Sequence, residues 1–180
     1  MTRKQRYAGP VLGAATLAMG LIAGTFYAFA CAVMPGLARS DDRVYIAVMR
    51  DINEAIQNPV FFAGFFGALL LTALSAWQQR GTPPRWWVLA ALLVYAAAFV
   101  LTSAVNVPLN NELAAAGDPA ELRDPSAVRE RFEDAWVAWN AVRAVLCSVA
   151  CASLARGLVL SGRGRQSAYL ESAAGSTARR

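Results

Sequence analysis

The chain has 180 residues, 57% of them hydrophobic and only 16% charged, with a positive mean hydropathy and a net charge of +5. A soluble domain carries about 25% charge, so the composition excludes an ordinary water-soluble globule. Histidine is absent, which excludes bis-histidine haem, histidine-ligated copper, carboxylate–histidine iron and Ser-His-Asp chemistry.

The apolar residues fall in four blocks, about Pro10–Val33, Pro59–Trp77, Trp86–Val105 and Trp136–Leu160. Each meets the roughly 20 apolar residues that a membrane helix needs. The N-terminus is basic (Arg3, Lys4, Arg6) and then apolar, and Ala28-Phe29-Ala30 has the form of a signal cleavage site. The apolar run is about twice the usual signal length, so it is read as a retained first helix. Pro10 suits the first position of that helix, and Pro35-Gly36 suits its end. Thr16, Gly20, Gly24, Ala28 and Ala32 form a line at four-residue spacing, which predicts close helix packing in lipid.

Residues Ser40 to Gln57 carry Val44, Val48, Ile52 and Ile56 at four-residue spacing, which predicts an amphipathic helix over one end of the bundle. Asn58 is an N-cap before Pro59, which opens the second span. Gly64, Ala68, Thr72 and Ala76 repeat the small-residue line there. The QQRGTPPR turn leads to the third span, which ends in LTSAVNVPLNNEL. Thr102 and Asn106 share a face of it, Pro108 removes a backbone donor, and Asn110 follows. Asp118-Pro119 and Asp124-Pro125 are two further helix starts, the second running into a fourth span that protrudes from the membrane.

The fourth span opens with WVAWNAVR. At 100° per residue, Trp136, Asn140, Arg143 and Cys147 share one stripe, with Trp139 on its flank. Twelve uncharged residues separate Arg143 from Arg156, too few to span. With Arg156 at a boundary, Arg143 lies about 10 Å beyond Trp136 along the helix; if Arg156 snorkels, Arg143 lies close to the interface. The tryptophan pair favours the deeper placement, where an arginine should face an interior, a cavity or a partner. Cys147 and Cys151 share a face, a weak redox signal for which small apolar packing is the more economical use. Composition predicts disorder from Ser161 onward.

Charge sets the expected orientation. The N-terminus, the QQRGTPPR turn and the residues after Leu154 hold ten Lys/Arg against Glu171 alone; the two longer connections hold six Arg against eleven acids. The positive-inside rule then places both termini in the cytoplasm and the two acidic connections outside. The sequence pI of 9.6 reflects this arrangement, and no nucleic-acid-binding stripe is present.

The expected fold is therefore all-α: an integral membrane four-helix bundle over residues 1–160, with an extracytoplasmic amphipathic helix, an extended fourth helix and a disordered basic tail over 161–180. The two polar stretches lie at the same end and can converge on one outward-facing cavity, with Asn53 reaching it from the amphipathic helix. Thr102, Asn106 and Asn110 would form one wall, and Trp136, Trp139, Asn140 and Arg143 the other. Spacing alone equally allows the amides to be interhelical glue, worth about 1 kcal/mol each. Arg143 would then be an anchor to headgroups or to an acid such as Glu133.

FACAVMPGL, INEAIQNP, LTSAVNVPLN and WVAWNAVR, in that order, resemble the anthrone oxygenase-like family of four-helix membrane proteins. The resemblance covers about Gly9 to Leu160. It implies a bacterial plasma-membrane protein that oxygenates a planar aromatic or quinonoid molecule with no metal or flavin cofactor. Arg143 and Asn140 would then hold the substrate oxyanion, Trp139 would stack on the rings, and Asn106 or Asn110 would orient the substrate. The competing expectation is a non-enzymatic membrane module that binds lipid or a protein partner. Quinone reduction through Cys147 and Cys151 is a third.

Overall fold

The computed structural model describes residues 3–177. Four helical segments are long and apolar enough to cross a membrane: Ala8–Leu37, Pro59–Gln78, Arg85–Ala115 and Pro125–Gly164. They form a multi-pass, all-helical bundle with no strand among the described residues. The first span is α1 (Arg3–Ala28), a five-residue π-turn (Phe29–Val33) and α2 (Met34–Leu37); α3 (Asp42–Ala55) follows. The second span is α4 (Pro59–Gln78). The third is α5 (Arg85–Leu101), a second π-turn (Thr102–Asn106) and α6 (Val107–Ala115), and the fourth is α7 (Pro125–Thr177). The spans pack as a ring in the order α1, α4, α5, α7, each touching its two neighbours.

Two expected boundaries move, and proline explains how. The first span runs through Pro35-Gly36, and the third runs beyond residue 105 to Ala115. In both, the π-turn ends two residues before a proline: Val33 before Pro35, and Asn106 before Pro108. A proline ring clashes with the carbonyl four residues back and offers it no N–H. Widening the preceding turn by one residue moves that carbonyl aside, and the chain stays helical. The i→i+5 bonds are present, from Met34 N–H to Phe29 O and from Val107 N–H to Thr102 O. At the other end of α1, the helix begins at Arg3, ahead of Pro10.

The caps behave as their residues suggest. Asn58 Oδ1 accepts from Val60 and Phe61 N–H at 3.0 Å each, and Asp41 Oδ1 accepts from Val44 N–H at 3.1 Å. Asp124 Oδ1 accepts from Ala127 N–H at 3.1 Å and starts α7. Asp118-Pro119 starts no helix: Asp118 instead closes a tight turn onto Ala120 and Glu121, beside Gly117 at φ +96°. Backbone helix continues to Thr177, through residues whose composition predicts disorder. A formed helix propagates at one hydrogen bond per residue without a new nucleus, and no proline interrupts it. Residues 178–180 lie outside the described range.

Small residues pack the bundle in part as expected. On α4, Ala68, Thr72 and Ala76 are buried, and a Cβ on Gly64 would sit 3.5 Å from Ile22. On α1, Gly20 faces Cys151 at 3.7 Å, but Gly24, Ala28 and Ala32 are exposed. The core face of α1 is Leu12, Ala15, Met19, Ile22 and Phe26.

A second, smaller core covers the α3 end of the bundle, built from Met34, Tyr45, Ile46, Met49, Leu113, Phe132 and Trp136. Arginines strap α3 onto the α6–α7 connection. Arg43 donates to Pro119 O and Leu122 O, and Arg50 to Gly117 O. Arg129 binds Ala38 O, Ser40 O, Asp42 and Glu133 and lies over the Tyr45 ring at 4.4 Å. The face that α3 buries is only partly the expected one: Ile52 and Ile56 line the space below, but Val44 and Val48 are exposed and Tyr45, Ile46 and Met49 are fully buried. Burial, with Glu133 nearby, pushes the Tyr45 phenol above its ordinary pKa.

Candidate functional site

Beneath α3, the ring of spans encloses a chamber of about 310 Å³. That is the low end of the roughly 300–1,000 Å³ typical of small-molecule sites. Its body is aromatic: Phe26 and Phe29 from the first span, Phe61, Phe62, Phe65 and Phe66 from α4, and Phe99 from α5. Phe65 stacks on Phe61 at 5.6 Å and on Phe99 at 4.8 Å between ring centroids.

The polar wall comes from α7. Arg143 is 4% exposed and lines the chamber, yet no carboxylate among the described residues lies within ion-pair distance of it. Its Nη2 donates to Asn140 Oδ1 at 3.0 Å, and its Nε has no partner. The guanidinium lies over the Phe26 ring at 4.3 Å and near the Trp136 ring at 5.4 Å. Asn140 Nδ2 in turn donates to Phe26 O on α1 at 3.1 Å, so the amide holds the arginine with one end and the first span with the other. Trp136 Nε1 donates to Asn110 Oδ1 at 2.8 Å, joining α7 to α6. Glu133 is not available to Arg143, because it pairs with Arg129 at 2.5 Å.

Of the eight residues singled out in the sequence, Asn53, Thr102, Asn110, Trp136, Asn140 and Arg143 line this chamber. Thr102 turns its hydroxyl back to Ala98 O at 2.8 Å. Asn106 is fully buried but is not a lining residue, and neither its amide oxygen nor its nitrogen has a partner. Trp139 does not reach the chamber; it is 40% exposed on the outer face of α7. The expected stacking role of Trp139 therefore has no geometric basis, and the indole on the wall is Trp136. Its position explains this, since Trp139 lies about 70° from the centre of the buried stripe at 100° per residue.

The phenylalanines were missed in the sequence, although FFAGFF carries four of the seven as two pairs four residues apart. Gln57 and Asn111 were missed as well. With Asn53 and Asn110 they form a collar of four amides, shared between the chamber and a second, polar cavity of about 600 Å³. Asp51, Glu54 and Asp118 line that second cavity; among the described residues no carboxylate lines the inner one. Cys147 is a free thiol packed fully in the bundle core, and Cys151 is a half-buried one; neither lines the chamber.

The site thus combines flat aromatic surfaces, a buried cation with no carboxylate partner among the described residues, and a collar of amide donors and acceptors. The anthrone oxygenase family matches residues 53–153, which hold all eight candidate residues but not Phe26 or Phe29. No curated protein and no solved structure matches the chain.

Proposed function

The chain belongs to the anthrone oxygenase family, and from that premise we propose that the chamber binds a flat aromatic ketone as its oxyanion and lets it react directly with dioxygen. The observation that carries this reading is Arg143, a buried cation on the chamber wall with no carboxylate beside it among the described residues. A cation at this depth is costly, and an anionic ligand would offset that cost. Asn140 fixes the guanidinium, Trp136 and Phe26 confine it, and the phenylalanines offer ring-sized surfaces.

The chemistry asks little more of the protein. Loss of a benzylic proton from an anthrone gives an electron-rich aromatic oxyanion, which Arg143 stabilises in a water-poor site. The anion passes one electron to dioxygen, and the two radicals combine to form a C–O bond. The hydroperoxide then loses water and becomes a quinone. One oxygen atom ends in the new carbonyl, and the other leaves as water with the two benzylic hydrogens, so no external reductant is needed. Because no carboxylate lines the chamber, the proton acceptor in this scheme is water in the amide collar, backed by Asp51 and Glu54 in the outer cavity. The acidic α3 end faces outward and both termini face the cytoplasm, as the arginine distribution favours.

The test is oxygen uptake with anthrone, using heavy-isotope dioxygen to follow the label into the quinone carbonyl. Arg143→Ala and Asn140→Ala should abolish uptake in protein that remains folded, and unchanged turnover would remove both from the mechanism. A second reading, a non-enzymatic module that binds lipid, draws on the bonds Asn140–Phe26 and Trp136–Asn110, which tie spans together. Under it the same variants lower bundle stability, and the wild-type protein shows no uptake above the uncatalysed rate.

A further inference from the structure

The chamber has two different rims. At the α3 end, exposed Gln57 and Asn111 belong to the amide collar and border the polar cavity. On the flank, the exposed lining residues are Phe62 (40%) and Phe66 (46%) on α4, with Ser103 and Val107 (43%) at the second π-turn. All four lie within the two segments Pro59–Gln78 and Arg85–Ala115, each long and apolar enough to cross a membrane, so in a bilayer this rim would face lipid rather than the polar cavity. Phe62 and Phe66 on one side and Ser103 and Val107 on the other thus both line the chamber and remain exposed, which makes the seam between them the candidate opening.

The seam between α4 and α5 explains where the gap begins. Phe99 closes it by stacking on Phe65 and meeting Phe66 at 5.7 Å. One turn further along, the π-turn starts. Thr102 and Ser103 send their hydroxyls back to Ala98 O (2.8 Å) and Phe99 O (3.1 Å), so this rim offers lipid no unpaired hydroxyl donor. An uncharged aromatic ketone can cross such a rim, whereas its anion cannot.

Resting on the reading that the chamber holds an anthrone-like substrate, we propose that this substrate is dissolved in the bilayer and passes sideways into the chamber between Phe62/Phe66 and Ser103/Val107. The amide collar at the other rim serves water and protons. The substrate becomes an anion only on reaching Arg143 and is then trapped until oxygenation restores a neutral, lipid-soluble quinone, which leaves by the same flank.

The test uses the full chain in phospholipid vesicles, with two readouts on the same samples. The association rate of 9,10-anthraquinone is followed by quenching of tryptophan fluorescence, and turnover by anthrone-dependent oxygen uptake. Ser103→Phe and Val107→Phe should slow association about ten-fold, as a narrowed gate does, and Val107→Ala should speed it. Ala114→Phe, which narrows only the polar cavity, should leave it unchanged. If Ala114→Phe slows association and the flank variants do not, the substrate arrives from water and the proposal is overturned. If the flank variants slow association while no protein consumes oxygen, lateral access stands and the oxygenation chemistry falls. If the wild type shows neither quenching nor uptake, both are lost. The widened Val107→Ala keeps the proposal falsifiable should the bulky variants misfold.

Discussion

Replacing Arg143 with methionine separates its cost to the fold from its use in the site. At the middle of a membrane helix an arginine is about 2.5–3.5 kcal/mol uphill. Opposing this, Arg143 makes one hydrogen bond to Asn140, and a bond from a charged donor contributes about 1.5–3 kcal/mol. Its guanidinium also lies over Phe26 and near Trp136, which adds up to about 2 kcal/mol when desolvated. No carboxylate is left behind when the cation is removed. Methionine keeps most of the volume and leaves only the Asn140 oxygen without its donor, a loss of about 1 kcal/mol. The terms nearly cancel, so Arg143→Met should change unfolding free energy by less than about 1.5 kcal/mol. Oxygen uptake should nevertheless fall about 100- to 1,000-fold, the usual effect of deleting an oxyanion-stabilising group. The assay pairs unfolding in mixed micelles with an oxygen electrode on the same preparation. A loss of more than about 3 kcal/mol, with activity tracking the folded fraction, would make Arg143 a structural anchor. Full stability with full turnover would remove it from the chemistry.

Trp139→Ala should leave oxygen uptake within about two-fold of wild type, because the side chain faces away from the chamber. Trp136→Phe keeps a ring but loses the bond to Asn110, so KM should rise about five- to ten-fold, read from uptake against anthrone concentration. Arg129→Ala removes the contacts that hold α3 to α7; with partly exposed partners the loss should be about 1–3 kcal/mol, seen as earlier proteolysis near Ser40. Tyr45 is held neutral by burial, so the folded state keeps its proton where the unfolded chain releases it. Stability should therefore decline as pH rises above the ordinary tyrosine value of about 10, and Tyr45→Phe should soften that decline in alkaline titrations.

The four spans, the Asn58 and Asp124 caps and the unbroken run of α7 from Pro125 were legible because length, apolar content and capping chemistry are local properties. Six of the eight candidate residues line one chamber: five lie on membrane-competent helices, where polar side chains have few places to go, and Asn53 reaches it from α3. The face of α3 was misread because a strict four-residue step drifts about 40° per repeat on a 3.6-residue helix. Val44 and Val48 begin on the exposed side, and the true inner line alternates steps of four and three through Tyr45, Met49, Ile52 and Ile56. The phenylalanine wall was not legible, because in a membrane span an aromatic residue facing lipid and one facing a cavity look alike. Nor were the π-turns, which add a residue to the turn before each proline and carry the helix past a point where proline alone reads as a stop.

Arg143 lies in the last span, so it leaves the ribosome after α1, α4 and α5 have been made. Released alone into lipid, that segment would carry the full penalty of a solitary arginine, about 2.5–3.5 kcal/mol. Beside a first span already in place, it meets the Phe26 ring and, through Asn140, the Phe26 carbonyl. These contacts predict that membrane integration of the fourth segment depends on the first span being retained beside it. Expressed by itself it should integrate poorly, and co-expression of residues 1–58 should rescue it.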